Sequence, residues 1–154
     1  MKNILILILS LLLSSCGFKR LNENNTELIY FKNINIVGEQ RIAYTLKNNI
    51  LIISKENSKN KYNAEITVQQ QKSDKTKNKA GKITRYNLSV SAQLVLTNLD
   101  NNKKVQKSFT RDRDYLVAEN HSETISNEKN ATKNIVQRVS DDIITFVTLM
   151  MREK

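Results

Sequence analysis

The chain has no proline and no tryptophan, and only one cysteine, one histidine and three glycines in 154 residues. A lone cysteine rules out an intrachain disulfide, so the fold must stand on its apolar core. One His and one Cys cannot build a zinc site. Three glycines leave no phosphate-cradling loop. There is no Gly-x-Ser-x-Gly elbow, and a hydrolase triad needs a nucleophile and a base brought together. The single histidine, His121, sits in a polar run with Asn120 and Ser122 and reads as a solvated residue rather than a base. Asp141 and Asp142 are adjacent on an expected helix, where neighbours point about 100° apart, so they do not form a carboxylate dyad. Aromatics at 6% without tryptophan advertise no apolar ligand pocket. Neither an enzymatic activity nor a cofactor or metal site is expected.

What the chain does have is basic charge. Its formal net charge is +10, from 18 Lys and 7 Arg against 15 acids, and it contains 20 Asn. A basic balance raises nucleic acid as a partner, but the amino terminus argues for export. Met1-Lys2-Asn3 carries one positive charge, and an apolar run follows from Ile4 to Leu9 and through Leu11-Leu12-Leu13. That is the layout of a secretory signal. It is too short to span a bilayer, which takes roughly 20 apolar residues. Anionic lipid head groups are then the better partners, with no nucleic acid. A solvated surface in an Asn- and Lys-biased chain is the plainer alternative.

Leu13-Ser14-Ser15-Cys16 resembles the lipobox of bacterial lipoproteins, a leucine and two small residues before an obligatory cysteine. The resemblance implies removal of residues 1–15, an S-diacylglycerol on Cys16 and an acyl group on the new amine. It also gives the otherwise unpaired thiol a use. Each buried acyl methylene contributes about 0.8 kcal/mol, so one chain holds marginally and two or three hold firmly. An ordinary signal cut near a cysteine is the alternative. Gly17 stands where Asp retains enterobacterial lipoproteins in the inner membrane, so the resemblance implies the periplasmic face of the outer membrane. The mature chain would have 139 residues, enough for one domain. Because Lys2 is the only charge removed, +9 would remain.

Residues 16–27 read as a lipidated polar tether and 28–154 as a single domain. Leu28 to Ile36 alternates as a strand ended by Gly38. Ile42, Leu46, Ile50 and Ile53 form one stripe of an amphipathic helix opening near Glu39. Ser54–Lys61 is a charged loop, Tyr62–Gln69 a strand with one wet face, and Lys72–Lys82 a lysine-rich loop. Tyr86, Leu88, Val90, Ala92, Leu94 and Leu96 occupy six successive even positions, the surest strand in the chain. Leu99–Asn102 offers turn chemistry, since Asn and Asp tolerate φ > 0. Val105, Phe109 and Tyr115 mark the returning strand of a hairpin. Ala131, Ile135, Val139, Ile143, Phe146 and Met150 line one seam of a final helix, for which Asn120 and Glu123 offer a capping pair. The expected fold is α+β in two layers (β-α-β-β-β-α). One four-stranded, antiparallel-dominated mixed sheet carries both helices on one face and leaves the other open and polar.

The order of these elements resembles the lipopolysaccharide-assembly lipoprotein LptE family. Carrying the likeness are Cys16-Gly17-Phe18 after the lipobox, Thr84-Arg85-Tyr86 opening the long alternating strand, and Tyr115 followed by a polar stretch and the helix Ala131–Met150. Alphaproteobacterial members begin Cys-Gly-Phe-Arg-Pro-Leu where this chain has Cys16-Gly17-Phe18-Lys19-Arg20-Leu21, without the proline. The resemblance implies a non-catalytic lipoprotein that plugs an outer-membrane LptD-like β-barrel, aids its assembly and contacts lipopolysaccharide. Lipid A phosphates favour Lys and Arg. Lys75, Lys77, Lys79, Lys82 and Arg85 place five cations within eleven residues, and Arg111 and Arg113 lie on the partner strand. Lys77, Lys79, Lys82, Arg85 and Arg111 are the expected glycolipid contacts, against the plainer reading of a solvated lysine loop. A lipoprotein assisting another barrel or secretin, or a periplasmic lipid-binding module, are the competing classes.

Overall fold

The computed structural model describes residues 29–152; the expected signal and the whole of the expected tether, Cys16 included, lie outside them. Four strands and two helices follow one another as β1 (Tyr30–Gly38), α1 (Gln40–Leu51), β2 (Lys61–Lys77), β3 (Ile83–Asn98), β4 (Lys104–Leu116) and α2 (His121–Arg152). The sheet order is β1-β2-β3-β4. β1 and β2 pair in parallel around the α1 crossover, and the other two pairs are antiparallel. The expected α+β class, element order and mixed sheet are all present.

The period-2 pattern places the core. Tyr62, Ala64, Ile66 and Val68 of β2 lie beside Leu96, Leu94 and Ala92 of β3, all buried on the helix-bearing face. From α1, Ile42, Leu46 and Ile50 press onto them, and from α2, Ala131, Ile135, Val139 and Ile143 do so. Burying one such side chain fully contributes about 1.5–3 kcal/mol. The α2 seam ends on Val147 and Met151, both buried, while Phe146 and Met150 sit beside it, half-buried. Phe146 stands edge-on to Phe109 of β4, ring centroids 5.8 Å apart. Among the described residues nothing packs on the opposite sheet face. There Asn63, Glu65 and Thr67 neighbour Thr97, Val95 and Gln93, and those last two neighbour Gln106 and Ser108.

Three local devices fix the connections. Gly38 has φ +122°, and a Cβ there would collide with the Val68 carbonyl, so β1 can turn off β2 only at a glycine. Asn98 Oδ1 accepts from the Asp100 and Asn101 amides at 2.8 and 3.1 Å, and Asn102 takes φ 57°, making the tight β3–β4 turn. Asn120 Oδ1 accepts from the Glu123 amide at 2.7 Å while its own amide donates to Glu123 Oε2 at 3.2 Å, the expected cap of α2.

One expected element is corrected. Lys72–Lys77 is not loop but the end of β2, paired as far as Lys77↔Ile83. No apolar alternation marks it, because every side chain from Gln69 onward is exposed. Its conformation is set by the backbone ladder to β3 rather than by burial. The true loop is 78–82, closed by a bond from the Asn78 amide to the Lys82 carbonyl at 2.9 Å. Asn78 Oδ1 also accepts from the Ala80 and Lys82 amides, each at 3.0 Å.

Candidate functional site

Extension of β2 turns the lysine-rich segment into a projecting β2–β3 hairpin. Lys79 and Lys82 stand in its tip, and Lys75 and Lys77 on its β2 arm, all exposed. Two of them have carboxylate neighbours: Lys77 Nζ lies 3.3 Å from Asp74, and Lys75 Nζ lies 3.9 Å from Asp114. Lys79, Lys82 and Arg85 have no ion-pair partner among the described residues.

Arg85 and Arg113 come together. Both line a shallow polar cleft of about 340 Å³ where β3 and β4 meet the first half of α2, facing the amides of Asn127, Asn130 and Asn134. Asp114 lines it as well, and the Asn127 and Asn134 amides donate to the Leu116 and Asn130 carbonyls at 3.1 and 2.7 Å, so the two guanidiniums are its main groups for an anion. Arg111 is placed elsewhere. It pairs with Val90 of β3, whereas Arg85 pairs with Leu116, five residues along β4 and so roughly 17 Å away. Its Nε and Nη2 donate to the two oxygens of Asp142 at 2.7 and 2.8 Å. That fork holds the Asp142 carboxyl below its ordinary range and raises Arg111. Asp112 and Asp114 alternate with Arg111 and Arg113 along β4, and Asn87 donates to both carboxylates. His121 opens α2, exposed.

At the root of the hairpin is a cluster that no local pattern revealed. Lys72 Nζ is 2.8 Å from Glu128 Oε2 and lies 4.3 Å from the Tyr86 ring centroid and 5.3 Å from that of Tyr115. The Tyr115 hydroxyl donates to the same carboxylate oxygen at 2.8 Å. The Lys72 hydrogen bond, followed by that from Tyr115, holds Glu128 below its ordinary range against partial burial. Burial alone would lower Lys72, but its bonds to Glu128 and Tyr115 outweigh this and raise it. The four residues tie the hairpin root to α2. Their separation in sequence, 56 residues for Lys72 and Glu128, is why the sequence alone did not join them.

No family model and no curated protein matches the chain. Among solved structures, a protein of Caulobacter crescentus assigned as a lipoprotein superposes with a TM-score of 0.61 at 15% identity, over 84% of this chain and 95% of that one. Rare lipoprotein B of Shewanella oneidensis gives 0.61 at 10% identity, over 79% and 97%. An uncharacterized lipoprotein B of Nitrosomonas europaea gives 0.51 at 17%, over 86% and 93%. The chain therefore has a fold found in bacterial lipoproteins. The likeness is one of fold.

Proposed function

We propose that the chain is an outer-membrane lipoprotein of the LptE type, anchored through Cys16, without catalytic activity. In this reading it seats in an LptD-like β-barrel, aids that barrel's assembly and contacts lipopolysaccharide. The observation that carries the reading is the uncovered sheet face. It is four strands wide and largely polar, its exceptions including Val37, Val95 and Leu116. Such a face suits the interior of a large outer-membrane barrel, which is also polar. Support comes as well from the Leu13-Ser14-Ser15-Cys16 motif and from the fold shared with lipoproteins.

The basic end of the sheet supplies the glycolipid contacts. Lys79 and Lys82 at the hairpin tip and Arg85 in the polar cleft carry them, with Lys77 beside the tip as a weaker contributor through its Asp74 neighbour. Arg111 belongs to the scaffold in this scheme, its guanidinium committed to Asp142.

Purifying the lipidated protein from its own membrane in mild detergent tests the reading. A large outer-membrane β-barrel should co-purify and be identified by mass. The triple variant K79E/K82E/R85E should retain that barrel but capture at least tenfold less lipopolysaccharide in a pull-down. Recovery of a secretin or no barrel at all would exclude the reading, and undiminished lipopolysaccharide capture would exclude the contact residues.

A further inference from the structure

α1 and α2 run in the same sense across the sheet. They meet at Asn49, whose amide donates to Ser140 Oγ at 3.0 Å and to Gln137 Oε1 at 3.5 Å. Toward their amino-terminal ends they part, and a cleft of about 520 Å³ opens between them. Ile42 and Val136, each 2% exposed, close it from the two helices, and Ile125 of α2 lies at its mouth, 39% exposed. Three cations ring the opening: Arg41, Lys129 and Lys133. None of the three has an ion-pair partner among the described residues. Two carboxylates also line the cleft. Glu128 is already neutralised by Lys72 at 2.8 Å, leaving Glu39 alone against three positive charges.

Ile42, Ile125 and Val136 give the cleft an apolar lining, with Thr45, Gln70 and Thr132 beside it. Under an unbalanced cationic rim such a lining selects an amphiphile with an anionic head. The long stems of Arg41, Lys129 and Lys133 extend the apolar wall while keeping their charges at the water boundary. A cleft of this size is within the range of about 300–1,000 Å³ that takes one small ligand. It holds one acyl chain and not a glycolipid with several. We propose that the α1–α2 cleft is a binding site for a single long-chain fatty acid. Its tail lies against Ile42, Val136 and Ile125, and its carboxylate is held by Arg41, Lys129 and Lys133. The site is on the opposite flank of α2 from the Arg85–Arg113 cleft and stands independently of the barrel and lipopolysaccharide reading.

The full lipidated chain, reconstituted in phosphatidylcholine nanodiscs, is exposed to a 16-carbon fatty acid bearing a photoreactive diazirine in its tail. Labelled peptides are then mapped by mass spectrometry. Labelling should concentrate on the α1 and α2 peptides carrying Ile42, Ile125 and Val136, and the matching 16-carbon alcohol should label them at least tenfold less. R41E/K129E/K133E should lower labelling more than tenfold without shifting the thermal midpoint. Thr132→Trp, which fills the cleft with every cation in place, should do the same and serves if the triple variant fails to fold. Equal labelling by acid and alcohol, labelling spread over the whole surface, or full labelling of T132W would overturn the proposal. Displacement of the probe by phosphatidylglycerol as effectively as by unlabelled palmitate would overturn it too, in favour of a two-chain phospholipid.

Discussion

Lys72 and Glu128 meet at 2.8 Å across 56 residues of chain, one on the end of β2 that has no apolar pattern and the other on the second turn of a long helix. The contact adds a side-chain tie to α2 to the backbone ladder that keeps this exposed strand end in the sheet. The ammonium lies over Tyr86, and the carboxylate it meets also takes the Tyr115 hydroxyl, so three strands and α2 converge there. Lys72→Met keeps the stem and removes the charge. Because the pair is about a third exposed, the expected loss is only about 1 kcal/mol, of which the cation–ring contact is part. A chemical denaturation curve measures this. Amide exchange should accelerate at Lys72–Lys77 while β2 from Tyr62 to Val68 stays protected.

Acid should weaken the same pair. Glu128 and Asp142 have carboxyl pKa values below their ordinary 4.5 and 3.8. A carboxyl depressed by folding stabilises above its unfolded pKa, and that contribution is lost as pH falls through the folded value. The urea midpoint should therefore be flat from pH 7 to about 5 and decline below it, with E128Q declining less steeply. Lys72 works in the other direction. Its raised pKa contributes below the ordinary 10.5 and is lost only as pH rises through the higher folded value.

Gly38→Ala tests the exit of β1. The substitution meets both φ +122° and the Val68 carbonyl. Relief requires β1 to move off β2, so a loss of at least about 2 kcal/mol is expected, beyond the usual cost of a residue with positive φ. Gly81→Ala is the control. Its φ is +76°, but nothing lies within 4 Å of an added Cβ, so its smaller loss reports backbone strain alone.

The central core should respond to truncation and the cap only mildly. Leu94 and Ile143 are 1% and 0% exposed, and changing either to Ala should cost roughly 2–5 kcal/mol. Asn120→Ala removes the bond to the Glu123 amide and should cost about 1 kcal/mol. Thermal unfolding separates the two classes.

Elements that bury one face were legible in the sequence. The even-numbered run from Tyr86 to Leu96 names its own core face, and the stripe from Ile42 to Ile50 does the same for α1. Asn120, three residues before Glu123, announces the start of α2. The end of β2 was not legible, because a strand exposed on both faces carries no period and is held by its partner's backbone. Of the expected contact residues, Lys77, Lys79, Lys82 and Arg85 are gathered by the hairpin itself, being close in sequence. Arg111 is set apart by Asp142, 31 residues later, a pairing that depends on how α2 lies across β4. The α1–α2 cleft is likewise a product of packing, made where two amphipathic stripes diverge.

If the lipoprotein seats in a barrel as proposed, the polar sheet face, and not the helical face, meets the wall. A photo-crosslinking amino acid placed at Ser91 or Thr110 on the sheet, or at Arg138 or Asp141 on the outer side of α2, tests it most directly in living cells. Ser91 and Thr110 should each crosslink to one large outer-membrane β-barrel protein, and more strongly than Arg138 or Asp141. Crosslinks to that barrel from the helix positions alone, or none from the sheet, would contradict the claim.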